Sequence, residues 1–199
     1  MKKKYRVSLF IFLVILAFST CKERTKKNIN NNSNQVNIQD YLKKGTDIAL
    51  AAQAVLGKNL LAAIHAGGTD GALAFCNESA IPLTDSISSV LNAKIKRVSD
   101  KNRNIRNTAN EMELAYIHQA KTDIVKFGEA KPQLQEINNQ MVGYYPIVTN
   151  GICLKCHGDP NKDIDEKTFS VIKEKYPQDK AIGYLTNEIR GIWVINMDK

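Results

Sequence analysis

The chain has 199 residues, 43% of them hydrophobic and 24% charged, which suits one domain with a real core plus some additional sequence. Its formal net charge of +8 is local: residues 1–44 hold ten basic and two acidic groups, and the remainder carries eighteen of each. That balance excludes a basic domain face of the kind that tracks nucleic acid.

The chain opens on the basic "MKKKYR", followed by the apolar "VSLFIFLVILAF" and then the charged "KERTKK". This is the layout of a secretory signal over residues 1–20, short for a membrane span. An uncleaved anchor helix running further would have to bury Lys22 and Glu23, which is costly in lipid. The stretch "FSTC" looks like a loose bacterial lipobox ending at Cys21, with Phe18 and Thr20 departing from the usual Leu and small residue. The expectation is a lipoprotein-type signal peptide (1–20) and a lipidated Cys21 anchoring the protein to a membrane in the periplasm. The Asn-rich "NINNNSNQVN" makes 21–39 a flexible tether, with a folded domain over 40–199.

Within 41–66, Ile48, Ala52, Val55, Leu56, Leu60 and Ile64 recur at spacings of three and four, predicting a long amphipathic helix. Gly67-Gly68 breaks it, Thr69 caps a second helix over 70–80, and Pro82 opens a third through Leu91. Residues 94–100 alternate as a strand, and 103–110 form a polar loop. Asn110 then caps a helix over 111–127 that stops at Gly128. The β-rich 141–148 leads through a turn at 149–151 into the cysteine stretch, and 165–176 is a helix ended by Pro177. Residues 182–197 read as two strands joined at Asn187-Glu188. Helices first and strands afterwards give an α+β class with an antiparallel sheet.

The stretch "GICLKCHGDP" sets Cys153-x-x-Cys156-His157 in five positions. Three chemistries compete for it. A thioredoxin-type pair needs a βαβ context, which is missing. A structural zinc site needs four ligands, with Cys76 as a distant fourth and two adjacent residues straining the tetrahedron. Covalent haem attachment uses all three residues: each cysteine forms a thioether and His157 sits under the iron.

The remaining candidates are weaker. His65 ends a helix, where an imidazole caps carbonyls as readily as it binds metal, and His118 lies in mid-helix. Met112 and Met141 read as packing residues. Arg97, Arg103 and Arg106 can pair with haem propionates or stand as solvated charges. Tyr144, Tyr145, Tyr184 and Trp193 read as sheet core.

The stretches "PIVTNGICLKCHGDP" and "IKEKYPQDKAIGYLTNEIRGIWVI", with "KRVSDKNRNIRNTANEME" and "GALAFCNESA" upstream, resemble the PAS-like periplasmic c-type haem domains, formerly a domain of unknown function. The resemblance covers most of 45–197. It implies a PAS-like antiparallel sheet with long N-terminal helices, and one covalent haem c attached in the C-terminal half. The axial ligands it implies are His157 and Cys76. The chain departs from the family at Asn187-Glu188, where Gly-Asp is usual, and lacks a Pro in the 103–110 loop.

The reading is an exported monohaem c-type cytochrome acting in electron transfer or in redox or diatomic-gas sensing. Its partner would be a redox or signalling protein. It is not expected to be an enzyme, since a haem ligated on both faces leaves no open position. The alternative is a zinc-binding or thiol redox protein without haem.

Overall fold

The structure is a computed structural model that describes the backbone of residues 23–199 and the side chains from residue 38 onward. The expected signal peptide and Cys21 lie outside the described residues.

Helix α1, Glu23–Ala74, is helical from within the stretch read as a tether. It kinks where expected, at Gly67 (φ −145°, ψ 20°) and Gly68 (φ 61°, ψ −150°), the latter a geometry that side chains disfavour. Beyond the kink the helix does not stop. It runs through a π-helical turn, Phe75–Ser79, into α2, Ala80–Val90. The two helices expected over 70–80 and from Pro82 are therefore one continuous run. Pro82 has no N–H to return to residue 78, and the ladder is interrupted at this point, with Ala80 N–H donating five residues back to the Phe75 carbonyl.

Four antiparallel strands follow the order β1-β4-β3-β2: β1 is Lys94–Val98, β2 Gln133–Ile137, β3 Gln140–Val148 and β4 Ile189–Asp198. The alternating side chains of β4 divide between two layers. Trp193, Ile195 and Met197 pack with Ile48, Ala52 and Leu56 of α1 and Ile87 of α2. Ile192 and Val194 pack with Tyr116, Ile117 and Ala120 of α3, Glu111–Phe127. The expected α+β class with an antiparallel sheet is what the chain adopts. Helix α3 starts and stops where its end residues say: Asn110 and Glu113 form a capping box, and Gly128 takes the left-handed conformation at φ 78°.

Two expectations need correction. Residues 182–187 are not a strand. Both edges of β4 are already taken by β1 and β3, so these residues turn back on the cysteine stretch instead, with Gly183 N–H on Gly158 O (2.8 Å) and Tyr184 N–H on His157 O (2.9 Å). Asn187 does take a left-handed backbone, φ 62°, but its N–H bonds Thr149 O rather than closing a hairpin. A different hairpin, β2–β3, closes through Asn138 and Asn139, both at positive φ. The cysteine stretch is helix α4, Gly151–His157, and the helix expected over 165–176 is α5, Glu166–Lys175.

Candidate functional site

The site lies at the end of the sheet where β1 and β3 finish and β4 begins. Helix α4 is held there by its first residues. The Asn150 side-chain oxygen accepts from Ile152 N–H at 3.0 Å and Cys153 N–H at 3.4 Å, and Cys153 Sγ takes the Asn150 N–H at 3.4 Å. Cys153 and Cys156, three apart on a helix, share a face. Both are free thiols, as is Cys76.

His157 closes α4. Its Nδ1 lies 2.7 Å from the Ala181 carbonyl oxygen. A carbonyl only accepts, so Nδ1 carries the proton and Nε2 keeps its lone pair. Burial pushes the imidazole well below its ordinary value, and the guanidiniums of Arg190, Arg103 and Arg97 push the same way against the Ala181 bond. The result is a neutral histidine with a free ring nitrogen, the form a metal takes. The Tyr184 ring stands edge-on to it, 6.4 Å between centroids.

The segment 179–184 is itself fixed from both sides. Ala181 N–H donates to Asp179 Oδ1 at 2.8 Å. Arg103, from the loop after β1, donates through Nη2 to Asp179 Oδ2 (2.9 Å), to Cys156 O (2.6 Å) and to Ala181 O (3.3 Å). The Arg103–Asp179 pair is buried, each side chain 8% exposed.

Cys76 sits in the π-helical turn and is half-buried. Burial raises its thiol, against the lowering pull of Arg97, Arg103 and Arg190. Burial likewise raises Cys156, which Arg103 lowers and the charge of Cys76 raises further. Tyr176, pushed up to about 12 chiefly by burial, also feels Cys76.

The structure thus sets Cys156 and His157 side by side at the end of α4, with Cys153 one helical turn away, and the charges of Arg97, Arg103 and Arg190 act on both His157 and Cys76. Arg97 stacks over Trp193, 5.5 Å from the ring centroid, and makes no ion pair or side-chain hydrogen bond among the described residues. The buried Nε atoms of Arg103 and Arg190, and the indole Nε1 of Trp193, also find no acceptor there. Arg106 is exposed on the 3-10 turn Ile105–Asn107, and His65, His118 and Met112 are exposed on their helices. Met141, Tyr144, Tyr145 and Trp193 are buried in the two layers beside the sheet, as expected. Tyr184 is buried too, but beside His157 rather than in the sheet, because 182–187 is not a strand.

Sequence reasoning missed Arg190, Asp179 and Tyr176. Arg190 had a signal: it is the one charge inside the apolar run "IRGIWVI". Its Nη1 donates to Ser99 Oγ and Lys101 O, both at 3.1 Å, tying β4 to the loop after β1. Asp179 and Tyr176 had none, since their partners are distant in sequence. Among the described residues no group of three or more His, Cys, Asp or Glu side chains is placed to hold a metal ion. A zinc site would need such a group. A porphyrin, which brings four nitrogens, does not.

The Tll0287-like family model matches residues 14–197. Among solved structures, the chain is similar to the cyanobacterial heme-protein Tll0287, at 16% identity and a TM-score of 0.54, over 82% of this chain and 95% of that one. At that identity the likeness is one of fold. No curated protein matches the chain.

Proposed function

The chain belongs to the Tll0287-like family, and from that premise we propose that it is a haem protein carrying one covalently attached haem c. Cys153 and Cys156 are its anchors, and His157 and Cys76 its axial ligands. The observation that carries the reading is the state of His157: Nδ1 is committed to Ala181 O at 2.7 Å, which leaves Nε2 free directly after two unpaired thiols on one helix face. The solved protein of similar fold is a heme-protein, which agrees.

The residues fit the group. Cys153 and Cys156 would hold it by thioether bonds, each thiol S–H adding across one vinyl with the hydrogen going to the neighbouring carbon. The donors without acceptors at this end of the sheet, the Arg97 guanidinium and the Nε atoms of Arg103 and Arg190, suit the propionate carboxylates. Arg103 Nη2 is already committed to Asp179 and two carbonyls, which leaves its Nε, and Arg106 is exposed. Bound haem supplies a one-electron couple. As a ligand, a Cys76 thiolate would favour the oxidised state and hold the potential below that of a His/Met site.

Electron transfer with a protein partner is the simplest role. Redox or diatomic-gas sensing is the second. With both faces ligated, catalysis is not part of the reading. We further read the domain as PAS-like, exported to the periplasm and lipid-anchored at Cys21, which mass spectrometry of membrane-extracted protein tests: an unmodified or uncleaved N-terminus refutes the anchor.

The haem test is expression with a cytochrome c maturation system. Colour should survive acid-acetone extraction and denaturing gels, and Cys153→Ala or Cys156→Ala should weaken or abolish attachment. Stoichiometric zinc or complete loss of colour refutes the reading. Cys76→Ala should remove the thiolate character of the oxidised spectrum; if His65→Ala does so instead, the ligand is the histidine.

A further inference from the structure

We infer that the buried Arg103–Asp179 pair is a positioning device that sets the donor strength of His157, through the single carbonyl of Ala181. The inference rests on His157 as an iron ligand, but its geometry belongs to the protein alone.

The Ala181 carbonyl oxygen accepts from two donors, His157 Nδ1 at 2.7 Å and Arg103 Nη2 at 3.3 Å. The peptide on the other side of the same residue is fixed by Asp179, whose Oδ1 takes Ala181 N–H at 2.8 Å while Oδ2 takes Arg103 Nη2 at 2.9 Å. Arg103 also donates to Cys156 O at 2.6 Å, on the residue before the histidine. One guanidinium therefore joins both ends of the His157 hydrogen bond: the helix that carries the ring and the segment that carries its acceptor. Both side chains of the pair are 8% exposed, so solvent does little to screen them.

A second donor on a carbonyl weakens its grip on the first. Arg103 thus limits how strongly Ala181 O polarises the Nδ1–H bond, and so limits the electron density at Nε2. Were an iron held at His157, the positive charge of Arg103 would also disfavour its oxidised state. Asp179 opposes both effects by neutralising Arg103. The two members of the pair should therefore act with opposite sign. Arg103→Gln frees the carbonyl and removes the charge, and lowers the reduction potential. Asp179→Asn leaves the arginine uncompensated, and raises it. A pair that merely held the loop in place would shift both variants the same way.

The experiment uses the full chain in two forms. In holoprotein, potentiometric titration of wild type, Arg103→Gln, Arg103→Lys and Asp179→Asn should give opposite shifts for the Gln and Asn variants. Arg103→Lys, which keeps the charge, should lie closer to wild type than Arg103→Gln. In protein made without the maturation system, 15N chemical shifts of His157 should show the Nδ1–H tautomer in wild type, with a stronger Nδ1–H bond in Arg103→Gln. Shifts of the same sign in both variants, or no change in potential and in the His157 nitrogens, overturn the inference. If no haem is taken up, the haem reading falls, and the nitrogen shifts alone still decide whether the pair acts on His157.

Discussion

At Gly45 the side chain that is missing matters more than any present. A Cβ built there would stand 1.8 Å from Tyr145 Oη and 2.5 Å from its Cζ, because the tyrosine ring lies against the backbone of α1. Gly143, on the strand that carries Tyr145, clears the same ring from below. Gly45→Ala should cost about 1–3 kcal/mol in urea denaturation, and Tyr145→Phe in the same background should return only part of it, since Cζ still clashes. His157 gives a second prediction at this scale. Its folded imidazole is held well below the ordinary 6.5, chiefly by burial. As pH falls through 6.5 the unfolded chain takes up a proton that the folded chain refuses, so the haem-free protein should lose stability progressively until the folded ring also protonates. Urea midpoints measured across that range should fall, and His157→Asn should remove this part of the slope. Burial of the ring came from the fold; the sequence showed only a histidine after Cys156.

Among the elements, α4 is the one that depends most on its cap. Its seven residues are too few to stand as an isolated helix, so Asn150, which takes two backbone N–H groups, and the packing beneath it determine whether the thiols share a face. Asn150→Ala should cost about 0.5–2 kcal/mol and should lower the haem-to-protein ratio after maturation, read from pyridine haemochrome absorbance per chain. The contrast with α3 shows what was legible. Asn110, Glu113 and Gly128 act on neighbours three or four residues away, so both ends of α3 could be read from the string of residues. Strand β2 could not be read that way: it lies at the sheet edge with only two of its five residues apolar. Segment 182–187 was misread because its choice between β4 and α4 turns on which edges were already filled, and that information is not local.

Across the whole molecule, the site joins residues far apart in the chain: Cys76 on the helical run before the sheet, Arg103 after its first strand, and Cys153 to Arg190 from the end. Cys153, Cys156 and His157 stand out in the sequence because they fall within five positions. Asp179 was not legible, because its partner Arg103 lies more than seventy residues away; Arg190 stood out as a charge in an apolar run, but its partner Ser99 is as distant. A group held by Cys76 and His157 together staples the first helices to the last third of the chain. Ligation stabilises the folded state against the unfolded one, so holoprotein should melt above haem-free protein. Cys76→Ala should lose part of that gain while leaving the covalent attachment intact. Hydrogen exchange should show the gain concentrated in residues 70–90 and 151–158. Equal melting of the two forms would refute the staple.

The π-helical turn at Phe75–Ser79 is, in length, an α-helix with one residue too many. Each residue turns a helix by about 100°, so the extra one aims Cys76 independently of the faces that α1 and α2 must bury. The direction of its sulfur is then written in the number of residues, not in their identity. Deleting exposed Asn77 would leave every contact side chain of the site in the sequence and still swing one helix about a quarter turn against the other. A change of length by one would do what no single substitution at Asn77 or Glu78 does: it would separate the placement of the thiol from the packing of the helices, and only one of the two could be kept.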